Sequence, residues 1–213
     1  MLPINRPKAQ ARRYYDRLSR FYDWLTASEQ TLILKGIETL APHPGETVLE
    51  VGCGTGTGLI EIDRQMQARG QVIGLDLSFK MLKKSKDRMT TAQRRCLLVE
   101  SDADQIPLPS SSIDAAYCAF TLELFSHQDM LATLNEIRRA LVHKGRIVVV
   151  SLSREPHNLM TRLYELGHRL FPVALDCRPI PTEFILLEAG FDLISVQKFM
   201  NWGLPVDIVL ANG

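Results

Sequence analysis

The chain has 213 residues, of which 46% are hydrophobic and 23% charged, and its formal net charge at neutral pH is +1. That length fits one domain with small additions, and the composition supports a full core of a soluble globular protein. So small a charge gives no reason to expect bulk nucleic-acid binding, and no apolar run approaches the ~20 residues that span a bilayer. Met1-Leu2-Pro3 opens no apolar signal segment. Cys53, Cys96, Cys118 and Cys177 show no C-x-x-C spacing, so neither a zinc site nor a disulfide framework is suggested. Cys53 and Cys118 read as small buried thiols, and a cytoplasmic, reduced protein is expected.

Residues 8 to 40 are predicted to be mostly helical. Tyr14, Leu18, Phe21, Tyr22 and Leu25 make one apolar stripe. Ser28 is placed to cap a second helix carrying Leu32, Ile33, Ile37 and Leu40, which Pro42-His43-Pro44-Gly45 ends. From Thr47 strands alternate with helices, with strands expected near 47–52, 71–76, 96–100, 113–120 and 145–152. The helix before the fifth strand repeats Met130, Leu134, Ile137 and Leu141 and is broken at Lys144-Gly145. Residues 154–181 interrupt the rhythm with another helical stripe, Leu159, Leu163, Leu166 and Leu170, before the stiff run Asp176 to Pro181. Phe191 to Phe199 and Val206 to Leu210 read as final strands, joined by a turn at Gly203-Leu204-Pro205. The alternation argues an α/β doubly wound sheet.

The run Val48-Leu49-Glu50-Val51-Gly52-Cys53-Gly54-Thr55-Gly56-Thr57-Gly58 carries the chemistry. An apolar strand ends in an acid, and a loop with glycine at every second position leads into a helix. Such a loop lets backbone approach a ligand closely, and the helix beyond it offers free N–H groups. The dinucleotide fingerprint G-x-G-x-x-G fits poorly, since its third glycine falls at Thr57. Two acids sharpen the assignment. Asp76 closes the second strand, on the same sheet edge as the loop, and can accept hydrogen bonds from both hydroxyls of a ribose. Glu50 suits a ligand with positive charge, because a carboxylate beside the loop repels a pyrophosphate. Together they favour S-adenosylmethionine over a nicotinamide dinucleotide. An oxidoreductase of the latter kind, or a non-catalytic cofactor-binding module, is the alternative.

On these residues the chain resembles the class I S-adenosylmethionine-dependent methyltransferases, from about Thr47 to Ser153. Glu50, Gly52, Gly54 and Gly56 meet the pattern E-x-G-x-G-x-G, Asp76 the acid after strand two, Ser101-Asp102-Ala103 the acid before a small residue after strand three, and Ile113 to Phe120 the fourth strand with its early Asp114. The resemblance implies a seven-stranded, mostly parallel Rossmann-like methyltransferase sheet whose last strand inserts antiparallel. The chain reads as one domain spanning 1–213, with an N-terminal helical cap at 1–45, a cofactor-binding core at 46–153, an insertion at 154–181 that either forms a helical lid with the N-terminal helices or packs as a helix on the sheet edge, and a C-terminal helix and β-hairpin at 182–213. The resemblance also implies site roles. The loop from Gly52 through Cys53, Gly54 and Thr55 to Gly56 supports the methionine moiety beside Glu50. Asp76 holds the ribose, and Leu77 and Met81 cover the adenine. Asp102 accepts from its amino group, Ala103 donates to a ring nitrogen, and Ala119 and Phe120 flank the cofactor.

Methyl transfer is an in-line displacement, so the protein mainly aligns the reactants in a dry site. Glu123 and His127, after the fourth strand, are the candidates for a base, although Ser126-His127-Gln128-Asp129 also reads as an ordinary helix start. Tyr22, with Tyr14 and Tyr15, is a candidate for the acceptor pocket; His157 and His168 read as lid-surface residues. The tract Ala119-Phe120-Thr121-Leu122 lacks the polar-Pro-Pro-aromatic signature of enzymes that methylate adenine or amide nitrogen, so no nucleic-acid partner is expected. The whole chain resembles the ubiquinone/menaquinone C-methyltransferases and bacterial phosphatidylethanolamine N-methyltransferases. The residues behind this are Tyr15-Asp16, Tyr22-Asp23, Phe120-Thr121-Leu122, Leu187 to Phe191 and Trp202 to Val206. A small-molecule or lipid acceptor is implied. Basic residues on the first helix and on the helix after Asp76 suit peripheral contact with an anionic membrane.

Overall fold

The computed structural model describes residues 29–94, 96–155 and 178–213. Tyr14, Tyr15, Tyr22, Ser28, His157, His168 and Cys177, most of the helical cap and the expected lid helix lie outside the described residues.

The elements follow the expected alternation. Helix α1 is Gln30–Leu40, followed by β1 at Thr47–Val51, α2 at Thr57–Gln65, β2 at Gln71–Asp76, α3 at Phe79–Thr91 and β3 at Leu97–Glu100. Then come β4 at Ile113–Ala119, a 3-10 turn at Leu122–Leu124, α4 at His127–Ala140, β5 at Leu141–Leu152, α5 at Thr182–Glu188, β6 at Asp192–Asn201 and β7 at Leu204–Asn212. The seven strands lie in the order β3-β2-β1-β4-β5-β7-β6. The first five are parallel, and β7 inserts antiparallel between β5 and β6.

Parallel strands buried on both faces need an apolar side chain at nearly every position. Val48, Leu49 and Val51 are fully buried, and alternate residues serve opposite faces. Leu49, Val51, Ala116 and Val149 pack with α4 and α5, while Val48, Tyr117, Val148 and Val150 pack with α1, α2 and α3. Glu50 has the parity of Val48 and so faces α2. The direction reverses between β1 and β4, which opens a crevice at their carboxyl ends.

Helix α1 runs antiparallel to β5. Arg146 near the start of β5 donates to the carbonyls of Leu40 and Ala41 at 2.7 and 2.9 Å and grips Glu46 with two 2.8 Å bonds. Further along, the Tyr117 hydroxyl donates to the Ile33 carbonyl at 2.8 Å. The N-terminus of α1 therefore reaches the carboxyl edge of the sheet.

Three boundaries differ from expectation. α4 ends at Ala140, not at Lys144-Gly145, because Leu141 is already extended and pairs with Ile113. Its side chain stays in the same core, which is why the helical repeat ran one residue too far. The final turn is Trp202-Gly203, with φ of 52° and 79°, so Leu204 and Pro205 belong to β7. The residue at the α1 N-cap position is Glu29, with no side-chain cap.

A Cβ on Gly36 would stand 2.5 Å from Val150 Cγ2 and 2.7 Å from the Tyr117 hydroxyl oxygen. Gly36→Ala is thus expected to push α1 off the sheet and lower stability by about 1–3 kcal/mol in urea denaturation.

Candidate cofactor and active site

The loop after β1 is folded by backbone contacts. The N–H groups of Gly52 and Cys53 both donate to the Leu75 carbonyl, at 2.8 and 3.1 Å, which bends the chain over β2. Gly52 has φ of 72°, and a Cβ there would lie 2.3 Å from Thr121 Oγ1, so the loop rests directly on the turn after β4. Gly56 occupies the N-cap position of α2 in the left-handed region. Cys53 and Thr55 are buried, and burial pushes the Cys53 thiol well above its ordinary range. Cys53, Cys96 and Cys118 are all free, and Cys53 and Cys118 are buried, as expected.

Asp76 ends β2, half-buried. One carboxylate oxygen accepts from the Gly54 N–H at 2.9 Å and the other from the Ser78 N–H at 2.8 Å. It thus locks the glycine loop to the start of α3, where the Ser78 hydroxyl caps the Met81 N–H. Leu77 is half-buried, and Met81 is buried on the inner side of α3. One strand over, Ser101 donates to the Asp76 carbonyl at 3.3 Å and Gln105 to the Asp102 carbonyl at 3.1 Å. This fixes the turn that carries half-buried Asp102 and buried Ala103.

The register sets the spacing. Glu50 lies opposite Gly74 on β2 and Tyr117 on β4, and Asp76 lies opposite Glu100 on β3. With strands about 4.8 Å apart, the line from Glu50 to the turn after β3 covers about 10 Å, the scale of a nucleoside.

Glu50 is 5% exposed. A Cβ on Gly58 would lie 2.2 Å from its Oε1, so only glycine lets this carboxyl reach the first turn of α2. There it accepts a backbone hydrogen bond from Leu59. Its Oε2 is buried without a partner among the described residues. Burial, and then the charge of Asp76, push the Glu50 carboxyl up to about 8. A buried acid with an open oxygen beside a helix N-terminus fits a ligand that brings a cationic or proton-donating group.

Ala119 and Phe120 stand at the end of β4, half-buried and buried. Phe120 has φ of 50°, and its N–H donates to the Val150 carbonyl at 2.8 Å. Glu123 follows in the 3-10 turn, fully buried. His127 is the first residue of α4. Ser126 caps that helix through the Asp129 N–H at 3.1 Å, and the His127 ring faces Glu188 of α5 at 3.3 Å, both partly exposed. This is the helix-start arrangement read from the sequence. Thr121 and Ser85, which press on Gly52 and Gly56, and Glu29 were not anticipated, because packing across the fold brings them in rather than any local pattern.

Residues 48–145 match the family described as "Methyltransferase domain". The chain is 33% identical over 144 residues to demethylmenaquinone methyltransferase of Porphyromonas gingivalis, covering 66% of this chain and 57% of that one. It is 27% identical over 210 residues to the ubiquinone/menaquinone biosynthesis C-methyltransferase UbiE of Syntrophotalea carbinolica, covering 87% of each. The chain carries an S-adenosylmethionine-dependent methyltransferase domain. Its fold is also that of magnesium protoporphyrin IX methyltransferase of Synechocystis PCC 6803, solved with bound SAH. That likeness has a TM-score of 0.76 at 19% identity and covers 97% of this chain and 99% of that one. The match sets aside the dinucleotide oxidoreductase left open by the glycine spacing.

In this methyltransferase, Asp76→Ala is expected to weaken S-adenosylmethionine binding by about 2 kcal/mol or more in calorimetry. It should also lower the melting temperature, since Gly54 and Ser78 lose their acceptor. Glu50 gives a pH signature. Its carboxyl titrates near 4.5 when unfolded and about 8 when folded, so the folded state holds the proton longer. Its contribution is fully present below pH 4.5 and is lost as pH rises through 8. Glu50→Gln should flatten the decline in stability between those limits, read from denaturation midpoints across pH.

Proposed function

We propose that the enzyme methylates a quinone-related small molecule in its reduced, hydroxylated form. The observation that carries this reading is the similarity to UbiE of Syntrophotalea carbinolica, which extends over 87% of both chains and so reaches beyond the cofactor core. The demethylmenaquinone methyltransferase of Porphyromonas gingivalis supports the same acceptor class.

S-adenosylmethionine, when bound, supplies an electrophilic methyl group on a sulfonium. Asp102 and Ala103 hold the adenine, with Leu77 against it and Met81 supporting that wall from inside α3. Asp76 holds the ribose from the end of β2. The loop from Gly52 to Gly56 carries the methionine end, with Glu50 beneath it. Ala119 and Phe120 flank the cofactor, and the acceptor occupies the β4–β5 side of the crevice, in direct line with the methyl group. Among Glu123, His127 and Tyr22, the first is favoured for handling the acceptor's proton, because the His127 ring is engaged with Glu188. Tyr22 contributes to the acceptor pocket. The exposed Lys80, Lys83 and Lys86 of α3 support contact with an anionic membrane, where a lipid-soluble quinol resides. Among the described residues no helix is long and apolar enough to cross one.

A transfer assay with radiolabelled methyl donor, offering a reduced demethylmenaquinone analogue, phosphatidylethanolamine and small amines in parallel, should label the quinol alone. Labelling of the phospholipid or an amine instead overturns the acceptor assignment. In co-sedimentation, the enzyme should pellet with phosphatidylglycerol-containing vesicles at low salt and be released at high salt. No pelleting at low salt removes the membrane contact.

A further inference from the structure

Glu123 is fully buried, and among the described residues neither of its carboxylate oxygens has a hydrogen-bond partner. The closest donors, the backbone N–H groups of Leu152 and of Glu123 itself, offset only part of the cost of burial. A buried polar group left open in this way is rare, and a bound molecule is one way to complete it. Among the described residues, the charged side chain whose field it feels is another acid, Glu29, at the start of α1.

The fold accounts for their meeting. Arg146 fixes the end of α1 to the start of β5, and Gly36 and Tyr117 hold its middle against β4 and β5. The first residue before the helix therefore lies over the end of β5, beside Leu152. Glu123 reaches the same place from the end of β4. It stands two residues beyond Thr121, on which Gly52 of the cofactor loop rests. The two carboxyls thus occupy the β4–β5 side of the crevice, next to the methionine end of the loop and on the opposite side from Asp76 and Asp102.

We propose that Glu29 and Glu123 form a carboxyl pair with one shared negative charge, which takes up the proton that the acceptor loses on methylation and so selects acceptors with an acidic aromatic hydroxyl. This rests on the acceptor class given above. Two carboxyls that feel each other cannot both ionise easily, so they titrate as a unit. Burial pushes Glu29 up to about 7, and burial followed by the charge of Glu29 pushes Glu123 well above the carboxylate range. Among the described residues the Cys118 thiol on β4 also senses Glu123, and burial pushes it up to about 12, so it stays neutral. Near neutral pH the pair then carries one proton and one charge. The step balances. The sulfonium S–CH3 bond breaks and its electron pair stays on sulfur. The acceptor atom forms the new bond to the methyl carbon, and the proton of the acceptor's hydroxyl passes to the carboxylate. One positive and one negative charge disappear together in a dry site, which favours the transition state over the separated charges.

The test uses the full chain with S-adenosylmethionine and 1,4-naphthoquinol as probe. Glu29→Gln and Glu123→Gln should bind S-adenosylmethionine within about twofold of the parent in calorimetry, while kcat falls roughly 100-fold or more with little change in KM. Glu123→Asp should recover part of the loss. The parent's kcat should rise with pH through about 7 as the pair ionises, and that rise should vanish in Glu29→Gln. Variants that keep the parent's kcat and the same acid limb overturn the pair. A second readout needs no acceptor. Infrared difference spectra, parent minus each Gln variant so that the Glu50 proton cancels, should show a protonated-carboxyl band that weakens without vanishing in the Glu123→Gln pair and is lost above pH 7 in the Glu29→Gln pair. If the parent fails to methylate naphthoquinol yet shows this band, the acceptor reading fails and the pair stands. If the band is missing, the pair is refuted whatever the acceptor.

Discussion

The carboxylate of Asp76 is the joint on which the cofactor edge depends. It takes the Gly54 N–H on one oxygen and the Ser78 N–H on the other, so one side chain orients the loop after β1 and the entry to α3. A glycine loop is otherwise the most mobile kind of backbone, with the largest conformational entropy to lose. Anchoring it to the end of the neighbouring strand gives it a fixed shape before any ligand arrives. The same carboxylate is the one expected to hold a ribose, so loop geometry and sugar recognition share an atom pair. Glu50 complements it from below. Its reach to α2 requires Gly58, and its open oxygen is kept dry by the strands on either side.

The other half of the crevice is set by α1. Its contacts with β4 and β5 are close enough that Gly36 cannot carry a side chain, and its end is pinned by Arg146. These contacts bring Glu29 to the carboxyl edge near Glu123. The edge then has two chemical zones: hydrogen-bonding acids over β2 and β3, and an apolar-walled pair of protonatable acids over β4 and β5. A nucleoside suits the first, and an acceptor that must shed a proton suits the second.

Much of the site was legible along the chain because its parts are local. The order of acid, alternating glycines and second acid falls within Glu50 to Asp76, and the central strands announced themselves by runs of residues apolar on both faces. The errors arose where packing and backbone part company. Leu141 continues the helical repeat of α4 in space while its backbone has already turned into β5. Trp202 accepts a left-handed conformation in the hairpin, so the turn falls before Leu204 and Pro205 rather than through them. His127, the first residue of α4, faces Glu188 at the end of α5, a contact between elements that the chain order does not announce.

The amino-acid order by itself determined the fold class and the cofactor, since these follow from periodicity and from short motifs at the ends of successive strands. Only the tertiary structure decided which residues meet from afar: Glu29 with Glu123, Thr121 with Gly52, Glu50 with Gly58. Their proximity comes from the antiparallel course of α1 over β5 and from the close contact of glycines with side chains on other elements. Neither leaves a periodic trace in the sequence, because such contacts depend on how whole elements stack and not on the residues beside them in the chain.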